Sequence, residues 1–220
     1  MASNGYEFIL VAIDYFTKWV EAASYKVLNS KKVAHFIQTN IICKYRVPHD
    51  IILDNGMHFK GEIEKLHRQF NIQHHRSSPY RPQTNGVVEA VNKNIGQILK
   101  KSTKNYKDWH LQLPYALWRY RTSIWSSTWA TPYSLVYGMK AVLHIETGVC
   151  SLRIILESEI PEVDWLQSRY DQLCMMDEKR LKTLCHIQGY QRRFSAERYS
   201  SPSSSDKREV QAKLGRSIYY

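Results

Sequence analysis

The four cysteines of this 220-residue chain, Cys43, Cys150, Cys174 and Cys185, show no C-x-x-C or related spacing. That absence excludes a disulfide framework and a zinc module built on paired cysteines, and it predicts reduced thiols in a nuclear or cytoplasmic setting. No apolar run approaches the roughly 20 residues that span a bilayer, so no membrane partner is expected. The first residues, MASNGYEF, lack a basic region followed by an apolar one, which argues against a secretory leader. No internal repeat is present. Acid is scarce in one part only. Residues 1–150 hold 19 Lys+Arg against 10 Asp+Glu, a net of +9, whereas residues 151–220 hold 12 against 10, a net of +2. The basic character therefore belongs to the first 150 residues and points to a polyanion, nucleic acid above all. A basic surface kept for solubility is the alternative.

What is present suffices for one core and a smaller satellite: 43% of the residues are hydrophobic. The run Tyr6–Ile13 is nearly all apolar, as in a strand covered on both faces, and Thr17–Ser24 alternates well enough to pair back on it. Asn29 or Ser30 caps a helix with Val33, Phe36, Ile37 and Ile41 on one face. Asp50–Asp54 reads as a short buried strand, Ile63, Leu66 and Phe70 as the face of a second helix, and Ile72–His75 as another strand. SSPYRPQTNG, residues 77–86, reads as a loop, and a helix begins at Val87 with Val88, Val91, Ile95, Ile98 and Leu99. Trp109–Tyr120 forms a further helix containing Pro114. Thr131-Pro132 opens a short one that Gly138 closes. Strands interleaved with helices predict an α/β layered domain. Residues 162–198 carry a long amphipathic helical pattern (Leu166, Tyr170, Leu173, Leu181, Leu184), and the segment after it is too polar to pack.

Three carboxylates stand out by position. Asp14 ends the first strand, in FILVAIDYFTKWVEA. Asp54 ends a buried strand and precedes Asn-Gly. Glu89 opens a helix after the Pro- and Gly-rich loop. Residues 76–140 hold ten Lys+Arg and only two acids, Glu89 and Asp108. An acid kept among so many bases is a candidate for chemistry. Each also has a plain alternative: Glu89 as a first-turn carboxylate that favours the helix dipole and pairs with Lys93, Asp54 as a turn residue.

LDNGMHF (53–59) followed by SPYRPQTNGVVEAVNK (78–93) resembles the catalytic core of retroviral and LTR-retrotransposon integrases, plant gypsy-type elements above all. FILVAIDYFTKWVEAA, VPHDIILDNG, LPYALWRYRT and ATPYSLVYG look like that family in order and spacing, over about residues 3–195. The resemblance implies an RNase H-like fold, a mixed sheet flanked by helices. It implies phosphoryl transfer on DNA at two Mg²⁺ or Mn²⁺ ions held by carboxylates in the order Asp, Asp, Glu. Hard cations take oxygen ligands, and a metal pair suits an in-line displacement at phosphorus.

Carried over by motif, Asp54 matches the second carboxylate and Glu89 the third, with 34 residues between them. Asn55 supports the turn beside Asp54. Tyr80, Gln83 and Asn85 match a mobile loop that contacts the DNA end. Lys93 matches a basic position near phosphate, and Lys100 extends the basic face; Gly96 stands where some relatives carry another base. Asp14 matches a frequent family feature on the second strand, not the metal ligand. The first ligand and its strand are therefore expected to be missing. That leaves a sheet lacking its first strand and a truncated fragment with impaired catalysis. The expected divisions are 1–145 for the core, 146–198 for a helical linker or extension, and 199–220 for a disordered or degenerate tail. Expected partners are element-end and target DNA, with a homodimer or higher oligomer. A non-catalytic nucleic-acid-binding remnant, held by Lys93, Lys100, Lys101 and Lys104, is the alternative reading, and a product that never folds is a third.

Overall fold

The computed structural model describes residues 4–53, 56, 61–76, 82–103, 108–142, 155, 159–200 and 216–219. The chain divides into two compact units, one of residues 1–120 with 207–220 and one of residues 121–206. These divisions differ from those expected, because the end of the chain returns to the first unit.

In the first unit, β1 (Phe8–Ile13) and β2 (Val20–Tyr25) pair antiparallel over six residues, from Phe8 opposite Tyr25 to Ile13 opposite Val20. Asn29 caps α1 (Ser30–Phe36): its side chain accepts from the Lys32 backbone N–H at 2.9 Å, satisfying one donor that the first helical turn leaves free. The helix runs on as a π-helical turn, Ile37–Ile42. β3 (Asp50–Leu53) and β4 (Gln73–Arg76) pair parallel, with α2 (Glu62–Phe70) between them in sequence. Asn71 closes α2 in the left-handed conformation, at φ 52°, which asparagine tolerates better than most residues.

Leu10 and Ala12 of β1 share one buried cluster with Val33, Phe36, Ile37 and Ile41, with Ile51 and Leu53 of β3, and with Ile63 and Leu66 of α2. Successive strand residues face opposite ways, so Ile9, Val11 and Ile13 lie on the other face of β1, and they are buried too. Both faces of β1 are therefore covered. Burying each such side chain stabilises the unit by roughly 1.5–3 kcal/mol before chain entropy is counted.

The sheet has five strands in the order β2-β1-β5-β3-β4, where β5 is Arg216–Tyr219. β5 runs parallel to β1, from Leu10 opposite Arg216 to Ile13 opposite Tyr219, and antiparallel to β3, pairing with Ile52 and Leu53. Two expectations are corrected here. Residues 216–219 of the tail are a strand, and β1 does not lack a second neighbour. The reason is non-local: an exposed edge on a fully apolar strand is a strong template for any extended segment within reach.

α3 spans Pro82–Ser102 and so begins five residues before Val87. The part of the expected loop from Pro82 to Gly86 is helical. Proline suits a first helical position, because its fixed φ is already helical and its missing N–H would have had no partner there. Gly86 costs about 1 kcal/mol inside a helix, which burial of Val88, Val91, Ile95 and Leu99 outweighs. α4 (Trp109–Thr122) contains Pro114 as expected, and its His110 ring stacks on Tyr6 with centroids 4.3 Å apart.

In the second unit, Thr131 caps α5 (Pro132–Tyr137), its hydroxyl accepting from the Ser134 N–H at 3.1 Å. Gly138 ends it at φ 75°, where a side chain would be strained and a Cβ would meet Met176 Sδ at 3.0 Å. The single helical pattern expected over 162–198 is two helices, α6 (Glu162–Cys174) and α7 (Met176–Ser200), separated at Met175. Arg169 donates to the Tyr137 carbonyl at 2.8 Å and Arg180 to the Leu135 carbonyl at 3.2 Å, placing cations on acceptors that the end of α5 leaves open.

Candidate functional site

Asp14 follows β1 directly, and its carboxylate is engaged within its own turn. Oδ1 accepts from the Phe16 N–H at 3.3 Å, and Oδ2 accepts from both the N–H and the hydroxyl of Thr17. The turn is closed by the Asp14 N–H on the Trp19 carbonyl at 2.9 Å and the Lys18 N–H on the Asp14 carbonyl at 3.0 Å. Lys18 takes a left-handed φ of 60° there, donates through Nζ to the Tyr15 carbonyl at 2.7 Å, and lies over the Tyr15 ring. Burial pushes the Lys18 amine down to about 8, against the opposing pull of the Asp14 charge. This is the chemistry of a turn lock.

Glu89 is placed differently. It lies on α3 seven residues after Pro82, so it is not in the first turn and the dipole gives it little. Each helical residue turns the chain by about 100°, so Glu89, Lys93, Gly96 and Lys100 share one face. That face lies roughly 100° round from the stripe of Val88, Val91, Ile95 and Leu99, which is buried. Glu89, Lys93 and Lys100 are exposed. Among the described residues no ion pair joins Glu89 to Lys93, so the alternative in which Lys93 occupies Glu89 is not what the helix shows.

The other sequence-predicted residues are only partly placed. Asp54 and Asn55 come immediately after Leu53, the buried last residue of β3, and lie outside the described residues, as does Tyr80. Gln83 and Asn85 are in the first turn of α3. Lys101 is an exposed residue near the end of α3, and Lys104 lies outside the described residues. Among the described residues, no group of three or more His, Cys, Asp or Glu side chains converges as metal ligands would.

Two polar clusters escaped the sequence reading. Glu21, a buried residue of β2, accepts from Trp19 Nε1 at 3.0 Å and from the Tyr45 hydroxyl at 2.6 Å through Oε1, and from Lys44 Nζ at 3.1 Å through Oε2. An acid two residues after Trp19, in the buried start of β2, was the available signal. Asp50 is gripped by His49 Nδ1 at 2.8 Å and His75 Nε2 at 3.0 Å, and these hydrogen bonds, His49 first, hold its carboxyl below its ordinary range. The Asp50 cluster sits at the start of β3, the end away from Asp54. His75 is thus an exposed strand residue hydrogen-bonded to a carboxylate.

Searched against protein-family models, the chain matches none. It is similar to the Pol polyprotein of Radiation murine leukemia virus (strain Kaplan), 34% identical over 137 residues, which is 61% of this chain and 23% of that protein. The Gag-Pol polyprotein of Feline leukemia virus is 34% identical over 137 residues, again 61% of this chain and 8% of the relative. The Pol polyprotein of Feline endogenous virus ECE1 is 35% identical over the same length, 61% of this chain and 13% of the relative. The chain therefore spans less than a quarter of the length of these curated relatives. Among solved structures, the catalytic core domain of BIV integrase matches at a TM-score of 0.48 and 27% identity, over 58% of this chain and 83% of that one. The HTLV-2 integrase catalytic core domain in complex with magnesium, in a trimeric form, matches at 0.45 and 20%, over 56% and 79%.

The fold class is α/β, with a mixed sheet in the first unit and two helices, α6 and α7, in the second. The relatives are retroviral Pol and Gag-Pol polyproteins, and nothing in them singles out plant gypsy-type elements.

Proposed function

We propose that this chain is the catalytic core of a retroelement DNA integrase, of gypsy type, acting on element-end and target DNA by metal-dependent phosphoryl transfer in the nucleus or cytoplasm. The observation that carries the reading is the face of α3: an exposed acid, Glu89, set among exposed lysines and turned away from the buried stripe. A carboxylate in that setting suits a hard divalent cation, which Mg²⁺ or Mn²⁺ would be. Asp54 and Glu89 would hold the metal. When bound, such a metal pair activates the attacking oxygen, from water or a recessed 3′-hydroxyl, and stabilises the leaving one. Lys93 and Lys100 supply point charges for the DNA phosphates. Tyr80, Gln83 and Asn85 position the DNA end, and Asn55 supports Asp54, its neighbour in the sequence. The magnesium-bound and trimeric states of the HTLV-2 core support a divalent metal and an oligomer for this chain as well.

Asp14 is not assigned to the metal, because both its oxygens are taken by the turn. These 220 residues then supply two of three carboxylates, and the chain by itself is expected to be an impaired catalyst. A strand-transfer assay with Mg²⁺ or Mn²⁺ on a recessed DNA duplex tests the assignment. The expected result is weak turnover, lost in Asp54→Asn and in Glu89→Gln and kept in Asp14→Asn. Robust turnover that Asp14→Asn abolishes would overturn it.

A second reading, a DNA-binding remnant without catalysis, is favoured by the same engagement of Asp14. It predicts salt-sensitive DNA binding through Lys93, Lys100 and Lys101, with no turnover in either metal.

A further inference from the structure

β1 and β3 are not paired with each other; β5 lies between them and joins the β2-β1 pair to the β3-β4 pair. On one side β5 pairs with four residues, Leu10–Ile13, which are buried to within 2%. On the other it pairs with two, Ile52 and Leu53. The strand that completes the middle of the sheet is thus four residues long and comes from the far end of the sequence. Because β5 is parallel to β1 and antiparallel to β3, those two strands run opposite ways. Any strand seated between them is parallel to one and antiparallel to the other, whichever way it runs. The gap selects for an extended backbone and for side chains that fit two apolar faces, and it does not select a direction.

We propose that the gap between β1 and β3 is a strand-accepting site for a short extended segment, and that its occupant is this chain's own Arg216–Tyr219, held as a removable strand. The backbone carries the recognition, as in other cases where a segment is added to a sheet, and the neighbours' buried side chains set which residues fit. The second edge of β1 needs a partner because a fully buried strand cannot leave its N–H and C=O groups without one. The holding contact on the β3 side is only two residues long, so the segment can leave without opening the β1–β2 or β3–β4 pairs. Belonging to the same chain keeps its effective concentration high, of order mM for short tethers in general, which favours so short a strand staying seated. This inference is independent of the metal assignment.

The experiment uses the full chain carrying Ile218→Pro, which removes a backbone donor from the middle of β5 and should vacate the gap. A fluorescent peptide of residues 213–220 is titrated into this variant and into the unsubstituted chain. Binding to Ile218→Pro at least tenfold tighter than to the unsubstituted chain is expected, and none by a peptide that itself carries the proline. Equal binding to both chains, or none to a folded Ile218→Pro, would overturn the proposal. Should Ile218→Pro not fold, amide exchange on the unsubstituted chain decides. Exchange at residues 217–219 slowed well below the free-peptide rate is expected, and free-peptide rates there with β1 still protected would refute it.

Discussion

The hydroxyl and the backbone N–H of Thr17 both donate to one oxygen of Asp14, three residues earlier in the chain. With the Phe16 N–H on the other oxygen, the carboxylate at the end of the most apolar strand serves to turn that strand into the next. Removing it should cost stability rather than chemistry. Asp14→Ala is expected to destabilise the first unit by about 1–2 kcal/mol and lower the melting temperature by several degrees, with DNA affinity unchanged. A thermal melt and a DNA titration on the same sample check both halves.

Lys18, in the same turn, makes the stability depend on pH. Burial lowers its amine to about 8 from its ordinary 10.5, so between those values the unfolded chain binds a proton that the folded chain does not. Stability must then rise as pH rises through that window, by up to about 1.4 kcal/mol per unit. Burial raises Tyr25 and Tyr120, so their opposing contribution begins only near pH 10, where unfolded tyrosine ionises. Denaturant midpoints at pH 7, 8, 9 and 10 should climb from 8 onward, and in Lys18→Met the climb should vanish.

The Glu21 cluster predicts a large structural effect. Glu21→Ala takes one acceptor from Trp19, Tyr45 and Lys44 together and should cost about 2–3 kcal/mol. Glu21→Gln keeps an oxygen for one or two of them and should cost less. Urea midpoints at unchanged slope would show it.

The lysine face of α3 predicts a salt signature. Replacing Lys93 or Lys100 by Ala should weaken binding to unrelated DNA duplexes about equally and reduce the slope of log affinity on log salt by about 1 each. Lys44, which is engaged with Glu21, should leave that slope unchanged when replaced.

Much of the fold was legible in local pattern. A cap for α1 at Asn29 or Ser30, Thr131-Pro132 and Gly138 around α5, and the apolar spacing of α2 each follow from short-range chemistry that few alternatives satisfy. The start of α3 was missed because Pro82, Asn85 and Gly86 are turn residues by propensity, while the burial of Val88 onward decides the helix. β5 was invisible for a different reason. Four residues in a polar tail carry no periodicity, and only the open edge of β1 makes them a strand. For the site, the motif spacing singled out Asp54 and Glu89 and set Asp14 aside. The hydrogen bonds that occupy Asp14 come from a turn whose geometry the sequence does not spell out.

The most direct test of the metal assignment is paramagnetic: Mn²⁺ added to the isotope-labelled chain, with the loss of each backbone amide signal followed by NMR. The account predicts early loss around Glu89 and at Asp54–Asn55, with the Asp14–Trp19 turn spared and the effect removed by Glu89→Gln. Early loss at Asp14 or at the Asp50–His75 pair, with Glu89 untouched, would contradict it.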